Sequence, residues 1–193
     1  MDIQQIFLIA SSILAFCSPA FYVWDILKGK AQPHRTTRLV ILIITALSTA
    51  ALLAQHNTTA VWLAGIGLFQ STIIFALSLK YGVGGSDKLD MVCLVIAAFG
   101  IAIWKITNDP VLALYASIAA DFTGFFPTLV KTFRFPKTES LLYFLVNLLA
   151  VGFNVLAMKV FDLQNVSYPL YLFLANLAMV VFMVRKKRVV EST

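Results

Sequence analysis

Seven apolar runs, at about 3–25, 39–54, 60–80, 89–105, 111–130, 140–158 and 167–184, occupy most of this 193-residue chain. A helix that crosses the hydrocarbon of a bilayer needs about 20 mostly apolar residues, within a tolerated range of about 17–25. The second run is short and is expected to borrow residues from its flanks. Backbone hydrogen bonds in such segments have to close inside helices, and no alternating pattern of the membrane-barrel kind is present. The expected fold class is all-α, a polytopic bundle of seven transmembrane helices. Composition agrees, with 60% hydrophobic and 12% charged residues, against about a quarter charged in ordinary soluble domains. A cytosolic enzyme, a secreted disulfide scaffold and a disordered tail are excluded on that ground. Cys17 and Cys93 lie inside apolar runs, which favours packing over a disulfide or a metal site.

The cations set the expected orientation. Of the 15 Lys and Arg residues, all but Lys105 and Lys159 follow runs one, three, five and seven. Short loops rich in Lys and Arg stay in the cytoplasm, so the amino terminus is expected outside and the carboxyl terminus inside, in an integral, multi-pass membrane protein. The basic tail Arg185, Lys186, Lys187 and Arg188 reads as a topology anchor near anionic lipid rather than a nucleic-acid contact. Run one is preceded by Asp2 and no cation, so it lacks the charged start of a cleavable signal peptide and is expected to persist in the mature protein. The glycosylation-type triplets at Asn57 and Asn165 fall on the expected outer side, too close to the membrane to be more than chance matches.

Six prolines are few enough to take singly. Pro110 is expected just inside a helix start behind the cap Asp109, where its missing N–H costs little, and Pro169 is expected to do the same for the seventh helix. The other four form two pairs. Pro19 lies late in run one and Pro33 before run two; Pro127 lies late in run five and Pro136 before run six. Their spacings are 14 and 9 residues. Gln70 lies ten residues before Lys80, and Asn176 ten before Lys186. Runs one to three and five to seven therefore read as diverged parallel repeats with run four as connector, one of the recognised transporter plans. The expected organisation is a first three-helix repeat at 1–80, a linker helix at 81–108 and a second repeat with its basic tail at 109–193.

This three-plus-one-plus-three layout, with a proline late in the first helix of each triple, resembles the PQ-loop superfamily, which includes the SWEET sugar transporters, the lysosomal amino-acid exporters and the KDEL receptors. The family's Pro-Gln pair stands here as Pro19-Ala20 and Pro127-Thr128. The stretches PHRTTR, TNDPVLALYASIAADFTGFFPTLVK and PKTES also look like an uncharacterised bacterial branch of that group. The resemblance implies the fold more than a substrate. It also implies that Asn176 matches a cavity-facing amide of the last helix, with Gln70 as its repeat partner, and that Pro19 and Pro127 act as hinges for alternating access; a static kink is the competing reading.

Asp121 is the one charge in the middle of a run. A carboxylate there is costly and normally faces the bundle interior or a water-filled cavity. Desolvation favours its neutral form, so Asp121 is a candidate proton-coupling or substrate-binding group. Ser117, Asp121, Gly124 and Thr128 share one helical stripe. Asn147 and Asn154, seven residues apart, share another. With Gln70 and Asn176 they supply four amides that both donate and accept, as a polar solute needs. The competing reading is hydrogen-bonded glue between helices, worth about 0.6 kcal/mol per bond. Gly65, Gly67 and Gly124 suit close helix packing, and Trp62, Trp104, Tyr168 and Tyr171 suit an interfacial belt. Asp25 and Asp90 lie near lysines that can pair with them. His34 and His56 stand in loops without a ligand cluster and are assigned to no metal.

No serine elbow, phosphate loop or metal-ligand spacing is present, so neither an enzyme nor a cofactor is expected. The leading expectation is an alternating-access transporter of a sugar, an amino acid or a similar metabolite, with the solute and the bilayer as partners. The alternative is a non-transporting receptor, cargo-binding or structural protein of the same fold; against a KDEL-type receptor, every Lys and Arg is expected in a loop or at a helix end. Self-association into a homo-oligomer stays open.

Overall fold

The computed structural model describes residues 2–54, 58–85, 87–106, 110–158, 161 and 163–185. Each apolar run coincides with a helix: α1 (Ile3–Leu27), α2 (Arg35–Ala54), α3 (Thr58–Tyr81), α4 (Lys88–Ile106), α5 (Pro110–Arg134), α6 (Leu141–Ala157) and α7 (Leu163–Val184). A short 3-10 turn, Pro136–Thr138, precedes α6. The described residues hold no strand, only a single parallel bridge between His34 and Val83. The short second run does borrow from its flank, since α2 starts at Arg35 and takes in Arg38.

Local chemistry explains several of the boundaries. At the start of α1 the Asp2 N–H donates to Gln5 Oε1 at 3.2 Å, filling a capping-box position. That helix stops at Gly29, whose φ of +70° reverses the chain while its N–H bonds Ile26 O at 3.0 Å. Arg35 caps the end of α3 by donating to the carbonyls of Ser78 and Leu79 at 3.2 and 3.4 Å, where a cation also meets the negative end of the helix dipole. Ser140 caps α6, its Oγ accepting from the Tyr143 N–H at 3.3 Å. Pro110 opens α5 as expected; its cap Asp109 lies outside the described residues.

The helices pair in a mirrored scheme. α1 lies along α6 and touches α3, while α5 meets α2 and α7 to a similar extent. α2 packs on α3 as α6 packs on α7, and α4 runs along α5. Three loops meet at one end: Gln32 N–H donates to Thr138 O at 2.8 Å and Val83 N–H to Pro33 O at 3.0 Å. We call this the basic end.

Burial is inverted relative to a water-soluble domain. Large apolar side chains such as Phe16, Trp24, Phe69, Phe99, Leu149 and Leu174 point outward. Many buried groups are polar, including Ser18, Thr37, Ser78, Thr128, Thr132 and Glu139. Among the described residues, two helical stretches are long and apolar enough to cross a membrane, Ile3–Leu27 and Val166–Val184, and the shorter Leu141–Ala157 is strongly apolar too.

Several local expectations are corrected. Pro169 sits inside α7, because the helix extends back through the polar stretch to Leu163. A Cβ built on Gly65 or Gly67 meets nothing within 4 Å, so neither glycine permits a close approach; on Gly124 it would lie 2.4 Å from Val40 Cγ1, so there α2 does come close. Asp25 accepts from the Ser140 hydroxyl and Asp90 pairs with His34 at 3.4 Å, rather than either with a lysine. The fold thus brings an acid to His34. No metal-sized cluster forms among the described residues. His56, Asn57, Lys159 and the tail beyond 185 lie outside the described residues, as do the side chains of Trp62, Trp104, Lys105, Ser117 and Asn165.

Candidate binding cavity

Pro19 and Pro127 both lie within continuous helices. A proline ring removes the N–H that would bond the carbonyl four residues back. For Pro19 that carbonyl belongs to Ala15, and Ser18 Oγ replaces the lost donor at 3.3 Å. The same hydroxyl reaches Asn147 Oδ1 at 3.1 Å, so its one proton is shared between the proline defect of α1 and the amide of α6. The Asn147 amide also donates to Tyr143 O at 3.0 Å. At Pro127 the next residue, Thr128, donates to Thr37 Oγ1 at 2.9 Å and ties α5 to α2.

Asp121 sits at mid-length in α5 and faces a cavity of about 190 Å³ between α2, α5, α6 and α7. Asn147 and Asn176 line the same cavity. Tyr171 OH donates to Asp121 Oδ2 at 2.6 Å. Asn176 spends one amide proton on Leu172 O at 2.7 Å, and its Oδ1 accepts nothing from the described residues. On the expected stripe of α5, Asp121 meets the cavity, while Gly124 and Thr128 meet Val40 and Thr37 of α2.

Gln70 and Asn154 do not join this group. They line a separate open groove of about 570 Å³ between α1, α3 and α6, with Ser11 and Ser12. Neither amide bonds another described residue. Asn147 and Asn154 share a face of α6, yet two turns place them about 10 Å apart along the axis, which is enough to divide them between the two spaces.

Three contributors were not read from the sequence as parts of the site. Arg38, in the first turn of α2, stands at a helix end as expected, yet it is only 6% exposed and lines the cavity. Its guanidinium lies 4.4 Å from the Tyr22 ring centroid and 6.0 Å from that of Tyr143, an attraction of cation to ring face. Its Nε has no hydrogen-bond partner. Tyr168 and Tyr171 line the cavity as well, so these two residues serve the interior rather than only an interfacial belt. Tyr22 donates in turn to Glu139 Oε2 at 2.7 Å, and Glu139 pairs with Lys131, which also donates to the Gln32 carbonyl. This chain of contacts links Arg38 to the loops of the basic end.

Close by, His34 and Asp90 border a second space of about 390 Å³ with Pro127, Lys131 and Arg134. Burial pushes the His34 imidazole below its ordinary range, against the opposing pull of Asp90 and aided by Lys131. A neutral ring with its proton on Nε2, 3.4 Å from Asp90 Oδ1, leaves Nδ1 as a bare acceptor, and Nδ1 is indeed without a partner.

No protein-family model, no curated protein and no solved structure matches this chain.

Proposed function

We propose that the chain is a small-solute membrane transporter with seven spans in two parallel triples joined by α4, its amino terminus outside and its basic end in the cytoplasm. One observation carries this reading: an acid and two amides from the middles of three apolar helices face one cavity, which α2 completes. Polar groups at such depth are expensive in lipid and are kept where they face a pathway or a partner. The mirrored pairing of α1 with α6 and α5 with α2 supports the repeat, as does the likeness to the PQ-loop superfamily. The outward display of large apolar side chains supports the bilayer as solvent.

In this mechanism Asn147 and Asn176 orient the solute, and Asp121 binds it or carries a proton with it. Pro19 and Pro127 let α1 and α5 bend as the site changes sides. Gln70 and Asn154 line a groove on the α1 face, where the repeat places the counterpart of the cavity. Reconstitution into proteoliposomes tests the reading: a panel of labelled sugars, amino acids and nucleosides should yield one counterflow substrate, lost in Asn176→Ala, with pH dependence absent in Asp121→Asn. Binding without counterflow would sink transport. It would favour a cargo-binding receptor, a reading that gains from Arg38, the buried cation such recognition of a carboxylate requires.

A further inference from the structure

A guanidinium and a carboxyl group, Arg38 and Asp121, border the cavity without pairing with each other. The ion pairs among the described residues are His34–Asp90 and Lys131–Glu139; Arg38 and Asp121 form none, although each lines the same 190 Å³ space and Arg38's charge reaches Asp121. Burying a lone charge is costly unless a partner of opposite sign and hydrogen bonds compensate it. Arg38 is met by the faces of Tyr22 and Tyr143, feels the Glu139 carboxylate beyond Tyr22, has no carboxylate in ion-pair contact, and keeps an unpartnered Nε. Among the described residues Asp121 is met by one donor, Tyr171, on one of its two oxygens.

Resting on the small-solute reading above, we infer that this cavity takes a small zwitterion, its carboxylate on the Arg38 guanidinium and its ammonium on Asp121. A guanidinium presents a planar fork that matches a carboxylate. The free carboxylate oxygen of Asp121 and the Asn176 Oδ1 are both acceptors, which suits an ammonium that only donates. The tyrosine rings beside Asp121 add faces that attract a cation. A neutral sugar would leave both the guanidinium and the carboxyl without an ionic partner, and a simple acid or amine would leave one of them so. The volume lies below the roughly 300 Å³ at which drug-sized pockets begin, so the group between the two ionic ends is short.

The test is calorimetric titration of the detergent-purified full-length protein with alanine, propionate, ethylamine, glycine betaine and glucose. Alanine should bind, and propionate and ethylamine, each lacking one charge, should bind on the order of 30-fold more weakly or worse, the usual loss when one member of a buried charge pair is deleted. Arg38→Gln and Asp121→Asn should each weaken alanine by a similar factor. The analogue series uses the wild-type protein, so the inference stays open to refutation even if a variant fails to fold. Betaine binding as tightly as alanine would uphold the zwitterion but overturn the Asp121 assignment, because a quaternary ammonium has no N–H to donate and would rest on the tyrosine rings. Glucose binding that survives Arg38→Gln would overturn the zwitterion and leave the transporter standing. Alanine binding without counterflow in proteoliposomes would leave the zwitterion site standing and overturn transport. No binding across the series would overturn the inference, while counterflow of some other solute would still uphold the broader reading.

Discussion

Replacing Gly84 with alanine tests how tightly the loops of the basic end are built. Gly84 has a φ of +75°, and a Cβ added there would stand 2.2 Å from His34 Nε2 and 2.4 Å from Cε1. Ordinary carbon contacts are about 3.5–4.0 Å, so the ring has to retreat by more than about 1 Å. It has little room, being 7% exposed, bridged to Val83 and set beside Asp90. The left-handed backbone costs a side-chain-bearing residue about 1–2 kcal/mol, and overpacking adds about 1–3 kcal/mol. Together these give about 2–5 kcal/mol. Gly29 is the internal control, with a φ of +70° and nothing within 4 Å of its Cβ, so Gly29→Ala should cost only the backbone part. At about 2–4 °C per kcal/mol for a chain of this size, Gly84→Ala should melt roughly 2–12 °C below Gly29→Ala. Thermal unfolding in detergent, followed by tryptophan fluorescence, reads the difference. His34→Ala in the Gly84→Ala background should recover the steric part. Equal melting of the two glycine variants, or no recovery, would refute the reasoning.

Two further outcomes can be read in the same assay. Lys131→Met leaves the buried Glu139 carboxylate with Tyr22 as its remaining side-chain donor and should cost about 3–5 kcal/mol, much of it regained when Glu139→Gln is added; equal melting of the single and double variants would contradict this. Because burial lowers the His34 pKa, the unfolded chain binds a proton there that the folded chain refuses. Its contribution to stability is complete above the ordinary histidine value of about 6.5 and is lost as pH falls below it. His34→Gln should flatten the melting curve between pH 7 and pH 5, and an unchanged slope would remove His34 from the account.

The helices and the acid at their centre were legible because hydropathy, run length and a lone charge are local properties. Asp121, Asn147 and Asn176 could be nominated from position alone, and they do share a cavity. Arg38 could not. Four residues past His34 it looks like another loop cation, and only Tyr22 and Tyr143, from α1 and α6, draw its side chain inward. Tyr171 was hidden for a related reason: near a helix end, an aromatic residue suits both a membrane interface and an interior hydrogen bond, and helical phase decides between them. Gln70 shows the limit of the repeat argument. Correspondence between triples predicts equivalent positions, not a shared cavity, and the groove on the α1 face keeps it apart from Asn176.

The pairing of α1 with α6 also has a consequence in time. Tyr22 and Glu139, which join the two helices at the basic end, are 117 positions apart. At a synthesis rate of about 5–20 residues per second, the ribosome makes Glu139 roughly 6–23 s after Tyr22. Through that interval α1 exists without the surface it will finally cover, and α2 likewise waits for α5. The amino-terminal helices therefore reach their final contacts only when the carboxyl-terminal ones have emerged, so the two ends of the chain are finished together rather than in order.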